Sequence, residues 1–245
     1  MDPKGRVALV TGGAHRVGKA IVLALARAGT SVVIHYNTSA DAARATEAEA
    51  RAWGVDALVA QADLAQHAQV KAMANAAVAR FGTIDILVNS ASPFDQTPFQ
   101  TDDLSSWQRV IDALVNGAFY VTNAVAPLML KAQRGAIVNI ADMLALIPRR
   151  NFAAQGVGKS ALVAMTRQFA LELAPQVRVN AVVPGPVLPP PNYPPERIAL
   201  IASRTVLKRW GTPEDVADAV LYLVRAEYVT GEVLTVDVGE HLGSS

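Results

Sequence analysis

Short apolar runs alternate with longer alanine-rich stretches along almost the whole chain, and this alternation limits the possible folds more than any other feature. The runs are apolar at successive positions, as in residues 7–10 (VALV) and 135–138 (GAIV). Strands of this kind are expected where helices cover both faces of a sheet. Repeated strand–helix–strand units imply right-handed crossovers. We therefore predict one α/β domain over residues 1–245, a doubly wound parallel sheet flanked by helices.

The predicted helices and strands follow one another regularly, with no internal repeat. We predict helices at about 16–28, 40–53, 66–81, 104–130, 153–173 and 213–225, and strands at about 6–11, 31–35, 56–61, 84–89, 135–140, 177–183 and 232–237. Proline removes backbone donors, so the proline-rich segment 184–195 is predicted to be a loop. Because long loops in compact domains are often functional, we expect a substrate loop at about 185–205.

Composition excludes several classes of protein. A net charge of +1 offers no basic surface for nucleic acid or for a membrane, and no apolar run approaches the roughly 18 residues of a membrane span. The absence of cysteine excludes disulfides and thiolate chemistry, and the four histidines lack the spacing of a metal site. We expect a cytoplasmic protein without a metal and with a small-molecule substrate.

A glycine-rich segment, Val10–Gly18 (VTGGAHRVG), joins the first predicted strand to the first predicted helix. Glycines there let the backbone turn sharply and approach a pyrophosphate, whose charge the helix N-terminus favours. A glycine-rich turn alone is weak evidence, but its position after the first strand favours a Rossmann-type dinucleotide site.

Several short motifs together resemble the short-chain dehydrogenase/reductase family, in order and spacing, over essentially the whole chain. They include Thr11-Gly12-x-x-x-Arg16-x-Gly18, Asn89-Ser-Ala91 and Pro184-Gly185. The resemblance implies a nicotinamide cofactor, with Asp63 at the adenine, Asn89 and Ala91 along the cofactor, and Lys159 at the nicotinamide ribose. The full predicted cofactor set is Gly12, Arg16, Val17, Gly18, His35, Tyr36, Asn37, Ser39, Asp63, Leu64, Asn89, Ala91, Lys159, Pro184 and Gly185.

The end of the second strand indicates which cofactor is used. An acidic residue there would bind the ribose 2′-hydroxyl of NAD(H), but the segment His35–Ser39 (HYNTS) has no carboxylate. Arg16 could pair with a 2′-phosphate and Ser39 could donate to it. We therefore predict NADP(H), the alternative being that Arg16 is a solvated surface residue. The usual family pattern has glycine at position 16, and the arginine resembles the pteridine reductase branch.

The predicted catalytic residues depart from the family pattern, in which a serine, a tyrosine and a lysine act together with an asparagine. The matching residues here are Asp142, Gln155, Lys159 and Asn116. A glutamine side chain cannot donate a proton as a tyrosine does. Aspartate at position 142 again resembles pteridine reductases and would serve as an electrostatic partner for a cationic heterocycle, although it could simply cap a turn.

Three residues are predicted to contact the substrate: Ser92, Phe94 and Tyr193. Ser92-Pro93-Phe94 resembles the pterin-stacking segment of pteridine reductases, but Phe94 could equally anchor a loop. Tyr193 lies in the proline-rich segment, where exposure is the simpler expectation than a catalytic role.

Three functions remain open from the sequence. The leading one is an NADPH-dependent reductase resembling pteridine reductases, which would transfer hydride to a C=N or C=O group. The second is a carbonyl reductase of the 3-oxoacyl-carrier-protein type, impaired by Gln155. The third is an NADP(H)-binding protein without turnover. The resemblance also implies a homotetramer assembled through the helices at 104–130 and 153–173.

Overall fold

A computed structural model, which describes residues 1–190 and 193–243, contains a sheet of seven parallel strands. The order across the sheet is β3-β2-β1-β4-β5-β6-β7, so the strand order reverses between β1 and β4. This confirms the predicted doubly wound α/β fold. The strands are β1 Val7–Val10, β2 Ser31–Tyr36, β3 Ala57–Gln61, β4 Ile86–Asn89, β5 Gly135–Ile140, β6 Val177–Pro184 and β7 Val233–Val236.

The helices agree with the sequence-based prediction to within two residues at each end, with one addition and with the predicted helix at 104–130 divided in two. They are α1 Arg16–Arg27, α2 Ala40–Arg51, α3 His67–Phe81, α4 Ser105–Ile111, α5 Ala118–Lys131, α6 Ala153–Glu172, α7 Pro195–Arg204 and α8 Pro213–Arg225. The addition is α7, which occupies half of the predicted substrate loop. Proline is favoured in the first turn of a helix, so Pro195 begins α7 where the proline run had suggested irregular structure. Pro191 and Asn192 of that predicted loop lie outside the described residues.

Alternate residues of each strand enter two separate cores, one on each face of the sheet. Ala8 and Val10 of β1 pack in the core formed with α1 and α8, whereas Val7 and Leu9 pack in the core formed with α3 and α5. Covering both faces explains why apolar residues occupy successive positions of the strands. Ligand sites of such sheets lie at the carboxyl ends of the strands, near the reversal of strand order.

The segments α4 and α5 form one continuous helical stretch, Ser105–Lys131, through a π-helical segment at Asp112–Gly117. By length and composition alone this stretch could span a membrane, contrary to the expectation from the sequence. Its side chains Val121, Val125 and Met129 are instead packed in the core against the sheet.

Candidate active site

The glycine-rich turn between β1 and α1 is closely packed backbone. A Cβ atom at Gly18 would lie 2.1 Å from the carbonyl oxygen of Gly12, and a Cβ atom at Gly12 would lie 2.9 Å from Cα of Ala91. Gly12 also has a φ of +66°, which favours glycine. The turn therefore brings bare backbone to the N-terminus of α1, as the approach of a pyrophosphate requires.

The buried ring of His35 supports this turn from inside the protein. The N–H of Gly12 donates to Nδ1 at 3.0 Å, so Nδ1 is unprotonated and Nε2 carries the proton that is donated to the carbonyl oxygen of Ala62 at 3.0 Å. Burial also lowers the pKa of His35, which keeps the ring neutral. Both nitrogens are engaged within the protein, so His35 supports the turn from inside, and its contact with the cofactor stays a prediction.

Arg16 connects the turn to the other side of the cleft. It begins α1 in the left-handed region, with a φ of 49°, and its Nη2 donates to the carbonyl oxygen of Leu188 at 2.7 Å. The exposed guanidinium is therefore not simply solvated. Val17 follows in the first turn of α1. At the end of β2, Tyr36 is half-buried and Asn37 is exposed, and Ser39 directly precedes α2 without capping it.

Asn89 ends β4 and Asp63 follows β3, at the same edge of the sheet, but the two side chains differ in their hydrogen bonds. The Nδ2 of Asn89 donates to Oδ1 of Asn139 at 2.9 Å and to Oγ1 of Thr122 at 3.2 Å, so this side chain ties β4 to β5 and α5. Asp63 is half-buried, and its Oδ1 accepts from the N–H of Ala65.

The remaining predicted cofactor residues lie where segments of the backbone pack closely together. Leu64 is buried, and a Cβ atom at Gly117 would lie 2.8 Å from its side chain. Ala91 faces Gly12 across the turn. Pro184 ends β6, and Gly185 follows it so close to Asp237 that a Cβ atom there would lie 2.7 Å from Cα of Asp237.

Lys159 is buried on α6, with 5% of its surface exposed, and its Nζ donates to the carbonyl oxygen of Ile140 at 2.8 Å. Burial lowers its pKa from the usual 10.5 to about 8, and the negative charge of Asp142 opposes this shift. Near neutral pH the ammonium group therefore keeps its proton but holds it less strongly than an exposed lysine does.

Asp142 follows β5 and caps a short turn. Its Oδ1 accepts from the N–H of Leu144 at 2.8 Å, at the start of the 3₁₀ turn Met143–Ala145. The turn-capping alternative is therefore what the structure shows, while the charge of Asp142 still acts on Lys159.

Asn116 lies in the π-helical segment, and its Nδ2 donates to Oδ1 of Asp112 at 2.7 Å. Single π-helical turns inside longer helices frequently mark functional sites. This irregular turn carries no sequence signal as simple as a proline, so the sequence predicted only an uninterrupted helix.

Gln155 is almost completely buried, with 1% of its surface exposed, one helical turn before Lys159. Its Nε2 donates to the carbonyl oxygen of Pro93. Its Oε1 has no hydrogen-bond partner in the part of the chain that the structure describes. Rotating the amide by half a turn would place two oxygens against each other, so the contact with Pro93 determines the orientation.

Each of the three predicted substrate residues contacts a neighbour within the protein. Phe94 is 60% exposed and packs on Phe152, with ring centroids 5.3 Å apart. Ser92 is exposed, and its hydroxyl donates to the carbonyl oxygen of Pro93 at 3.2 Å. Tyr193 lies under the guanidinium of Arg197 at 4.0 Å from the ring centroid.

Sequence reasoning missed a group of charged residues that the C-terminal segment brings beside Asp142. Glu240 forms an ion pair with Arg149, and burial raises the pKa of this carboxyl group. Asp237 accepts from the N–H of His241 at 2.6 Å. The residues come from distant parts of the chain, so no local spacing could have revealed them. The described residues contain no cluster of side chains suited to a metal ion, which leaves the expected absence of a metal as a prediction.

Comparison with known proteins places these features in a family. A family model described as "Enoyl-(Acyl carrier protein) reductase" matches residues 12–241. The 3-oxoacyl-[acyl-carrier-protein] reductase of Synechocystis sp. is 37% identical over 240 residues, which cover 96% of each chain. The granaticin polyketide synthase putative ketoacyl reductase 2 of Streptomyces violaceoruber is 35% identical over 98% of each chain.

Solved structures agree. A 7α-hydroxysteroid dehydrogenase complexed with NADH and 7-oxo glycochenodeoxycholic acid has a TM-score of 0.91 at 31% identity, over 96% of this chain and 94% of that one. An NAD⁺-bound xylitol dehydrogenase has a TM-score of 0.90 at 29% identity over the full length of both. These relatives do not confirm the pteridine reductase branch, but they agree on a broader assignment: the chain belongs to the short-chain dehydrogenase/reductase family of oxidoreductases.

Proposed function

We propose that the protein is an NADP(H)-dependent reductase of a small carbonyl compound of the 3-oxoacyl type, with a slow proton-transfer step. The observation that carries this proposal is the buried Lys159, whose lowered pKa lies close to physiological pH. The kinship to 3-oxoacyl reductases along 96% of the chain favours this carbonyl substrate over a pterin. We therefore prefer the carbonyl reductase, the second function expected from the sequence, over the pteridine reductase, the first.

The chain has a suitable place for a nicotinamide cofactor. The contacts at Gly12 and Gly18 leave no room for a side chain, which is what close approach to a pyrophosphate requires. The lack of a carboxylate at the end of β2, together with Ser39 just after that strand and Arg16 at the start of α1, supports NADP(H) over NAD(H). When bound, a reduced nicotinamide supplies the hydride, and the protein positions it.

The reducing step also needs a proton on the substrate oxygen, and the residues present restrict its source. Gln155 has no proton to give at ordinary pH. Asp142 holds an acceptor position, since its Oδ1 receives the N–H of Leu144. Lys159 uses one of its N–H groups on Ile140 and has a pKa of about 8, which is close to the ideal for a general acid near neutral pH. We infer that Lys159 supplies the proton.

Two residues that suggested a pterin make contacts within the protein. Asp142 caps a turn, and Phe94 packs on Phe152. The preference for a carbonyl substrate over a pterin therefore rests on the kinship to 3-oxoacyl reductases. The hypothesis of a cofactor-binding protein without turnover keeps one specific support, the commitment of the Gln155 amide to Pro93.

The test is cofactor consumption with two substrate types. We expect purified protein to oxidise NADPH slowly with an acetoacetyl thioester and less with a dihydropterin. Gln155→Tyr should raise the rate with the thioester by about 10²–10⁴-fold, the usual contribution of a positioned proton donor. No gain would contradict the carbonyl reductase proposal. Micromolar NADPH binding without consumption of any substrate would identify a binding protein instead.

We also propose a homotetramer in the cytoplasm. Three exposed apolar side chains on α4, α5 and α6 support the assembly: Trp107, Phe119 and Leu171. Light scattering of the purified protein would give the subunit count directly, and a monomer would contradict the proposal.

A further inference from the structure

The segment after β4 is joined to the first turn of α6 by several contacts. The N–H of Thr97 donates to the carbonyl oxygen of Asn151 at 2.8 Å, and the hydroxyl oxygen of Thr97 accepts from the N–H of Ala154 at 2.9 Å. Thr97 and Phe152 form an isolated parallel bridge. The N–H of Ala154 is one of the donors that the start of a helix leaves without an internal partner, so Thr97 satisfies it from outside.

Gln155 supplies the side-chain contact at the other end of this segment. Its Nε2 donates to the carbonyl oxygen of Pro93, four residues before Thr97, and Phe94 between them packs on Phe152. The residue at the place of the family's tyrosine is thus turned into the protein, beneath the segment that carries two of the predicted substrate residues.

We propose that Gln155 is a positioning residue: its amide anchors the Ser92–Thr97 segment on α6, and the anchored segment forms one wall of the pocket for the carbonyl substrate. In the relatives' pattern a tyrosine at this position would direct a hydroxyl group to the reacting atoms. In this chain the same position determines the shape of the substrate entrance instead. The anchoring of the segment by Gln155 does not depend on the proposed function. The role of the segment as a pocket wall rests on that function.

Hydrogen exchange tests the anchoring without turnover. Once its carboxyl group is ionised, Gln155→Glu replaces the donor by a carboxylate that repels the carbonyl oxygen of Pro93. We expect the amide of Thr97, which donates to the carbonyl oxygen of Asn151, to exchange about tenfold faster, as the loss of a hydrogen bond of ordinary strength implies. Gln168→Glu, the same change at an exposed position of α6, is the matched control and should leave exchange in this segment unchanged.

Lowering the pH gives a second readout that a general loss of stability would not produce. A protonated carboxyl group can donate to Pro93, so protection of the segment in the Gln155→Glu variant should return in acid, after correction for intrinsic exchange rates. Gln155→Met has no donor at any pH, and exchange at Thr97 in that variant equal to that of the wild type would overturn the anchoring.

Enzyme kinetics test the proposal that the Ser92–Thr97 segment forms a wall of the substrate pocket. Gln155→Met removes the donor without adding charge, and Thr97→Val removes the contact with Ala154. Both should raise the KM for an acetoacetyl thioester about tenfold, with kcat changed less than about threefold, since neither change removes the proton source. A fall in kcat with KM unchanged would show instead that Gln155 acts on the reacting atoms. If the wild type does not turn over, the Kd of the thioester in the presence of NADP⁺ replaces KM. A Kd that is the same in both variants as in the wild type then contradicts the proposed pocket wall. The exchange experiment still tests the anchoring.

Discussion

The predicted cofactor site around Gly12 and Gly18 and the predicted catalytic site around Gln155 and Asp142 are built differently. We call them the cofactor end and the chemical end. At the cofactor end the decisive groups belong to the backbone: neighbouring backbone atoms leave no room for a Cβ atom at Gly12 or Gly18, and His35 holds Gly12 from inside. At the chemical end the decisive groups are side chains, and Gln155 and Asp142 bind neighbouring residues. A side chain on a helix can be exchanged without moving the helix, whereas a tight turn tolerates almost no change. The contrast predicts that substitutions at Gly12 or Gly18 disturb the turn itself, whereas substitutions on α6 leave the helix in place.

Replacement of Lys159 should give the largest effect, because it removes the inferred proton source from the chemical end. We expect Lys159→Met to lower kcat for the thioester by about 10²–10⁴-fold. In the wild type, kcat/KM should be constant below pH 8 and fall above about 8, because the ammonium group then loses its proton. Lys159→Arg, which stays protonated throughout, should remove this decline. A wild-type profile that stays flat from about pH 7 to 9.5 would contradict the assignment.

Gly18→Ala tests the backbone character of the cofactor end. The added methyl group would lie 2.1 Å from the carbonyl oxygen of Gly12, so the turn must open. We expect NADPH affinity to fall about 100-fold, as judged from the energies of overpacked sites. Fluorescence titration measures this loss.

The matched control is Gly156→Ala at the chemical end, where an added Cβ would meet only the carbonyl oxygen of Leu144 at 3.6 Å. It should leave NADPH affinity unchanged and stabilise α6 by up to about 1 kcal/mol, because alanine favours a helix over glycine. Equal effects at the two glycines would remove the contrast between the two ends.

Arg16→Gly separates recognition of the phosphate from the shape of the turn. Glycine accepts the left-handed φ of 49° at this position, so the backbone should be preserved. We expect the Kd of NADPH to rise about tenfold, the value of a charge-assisted contact, and the Kd of NADH to change little. Isothermal titration with both cofactors gives the ratio, and an equal loss for both would count against NADP(H) specificity.

The smallest expected effect is the response of the cofactor end to acid. Burial lowers the folded-state pKa of His35 below 6.5, so the unfolded chain binds more protons just below that pH. The free energy of unfolding should therefore decrease as the pH falls below 6.5. Denaturant titration of the wild type and of His35→Gln should show this slope only in the wild type. The exposed His67→Gln is the control, and it should keep the slope.

Local patterns predicted most of the architecture because they reflect burial directly. Continuous apolar runs identified all seven strands, since both faces of the sheet are covered. The exceptions are α7, hidden by prolines, and the π-helical turn at Asp112–Gly117, for which no single residue type is required.

The amino-acid sequence by itself determined the doubly wound fold, the glycine-rich turn and the amide at position 155, because each depends on residues close together in the chain. The tertiary structure decided what those residues contact. It placed His35 behind the turn, directed Gln155 to Pro93 and brought Glu240 to Arg149. Such contacts depend on distances between segments far apart in the chain. Whether a polar side chain faces a ligand or another residue is determined only when those segments pack.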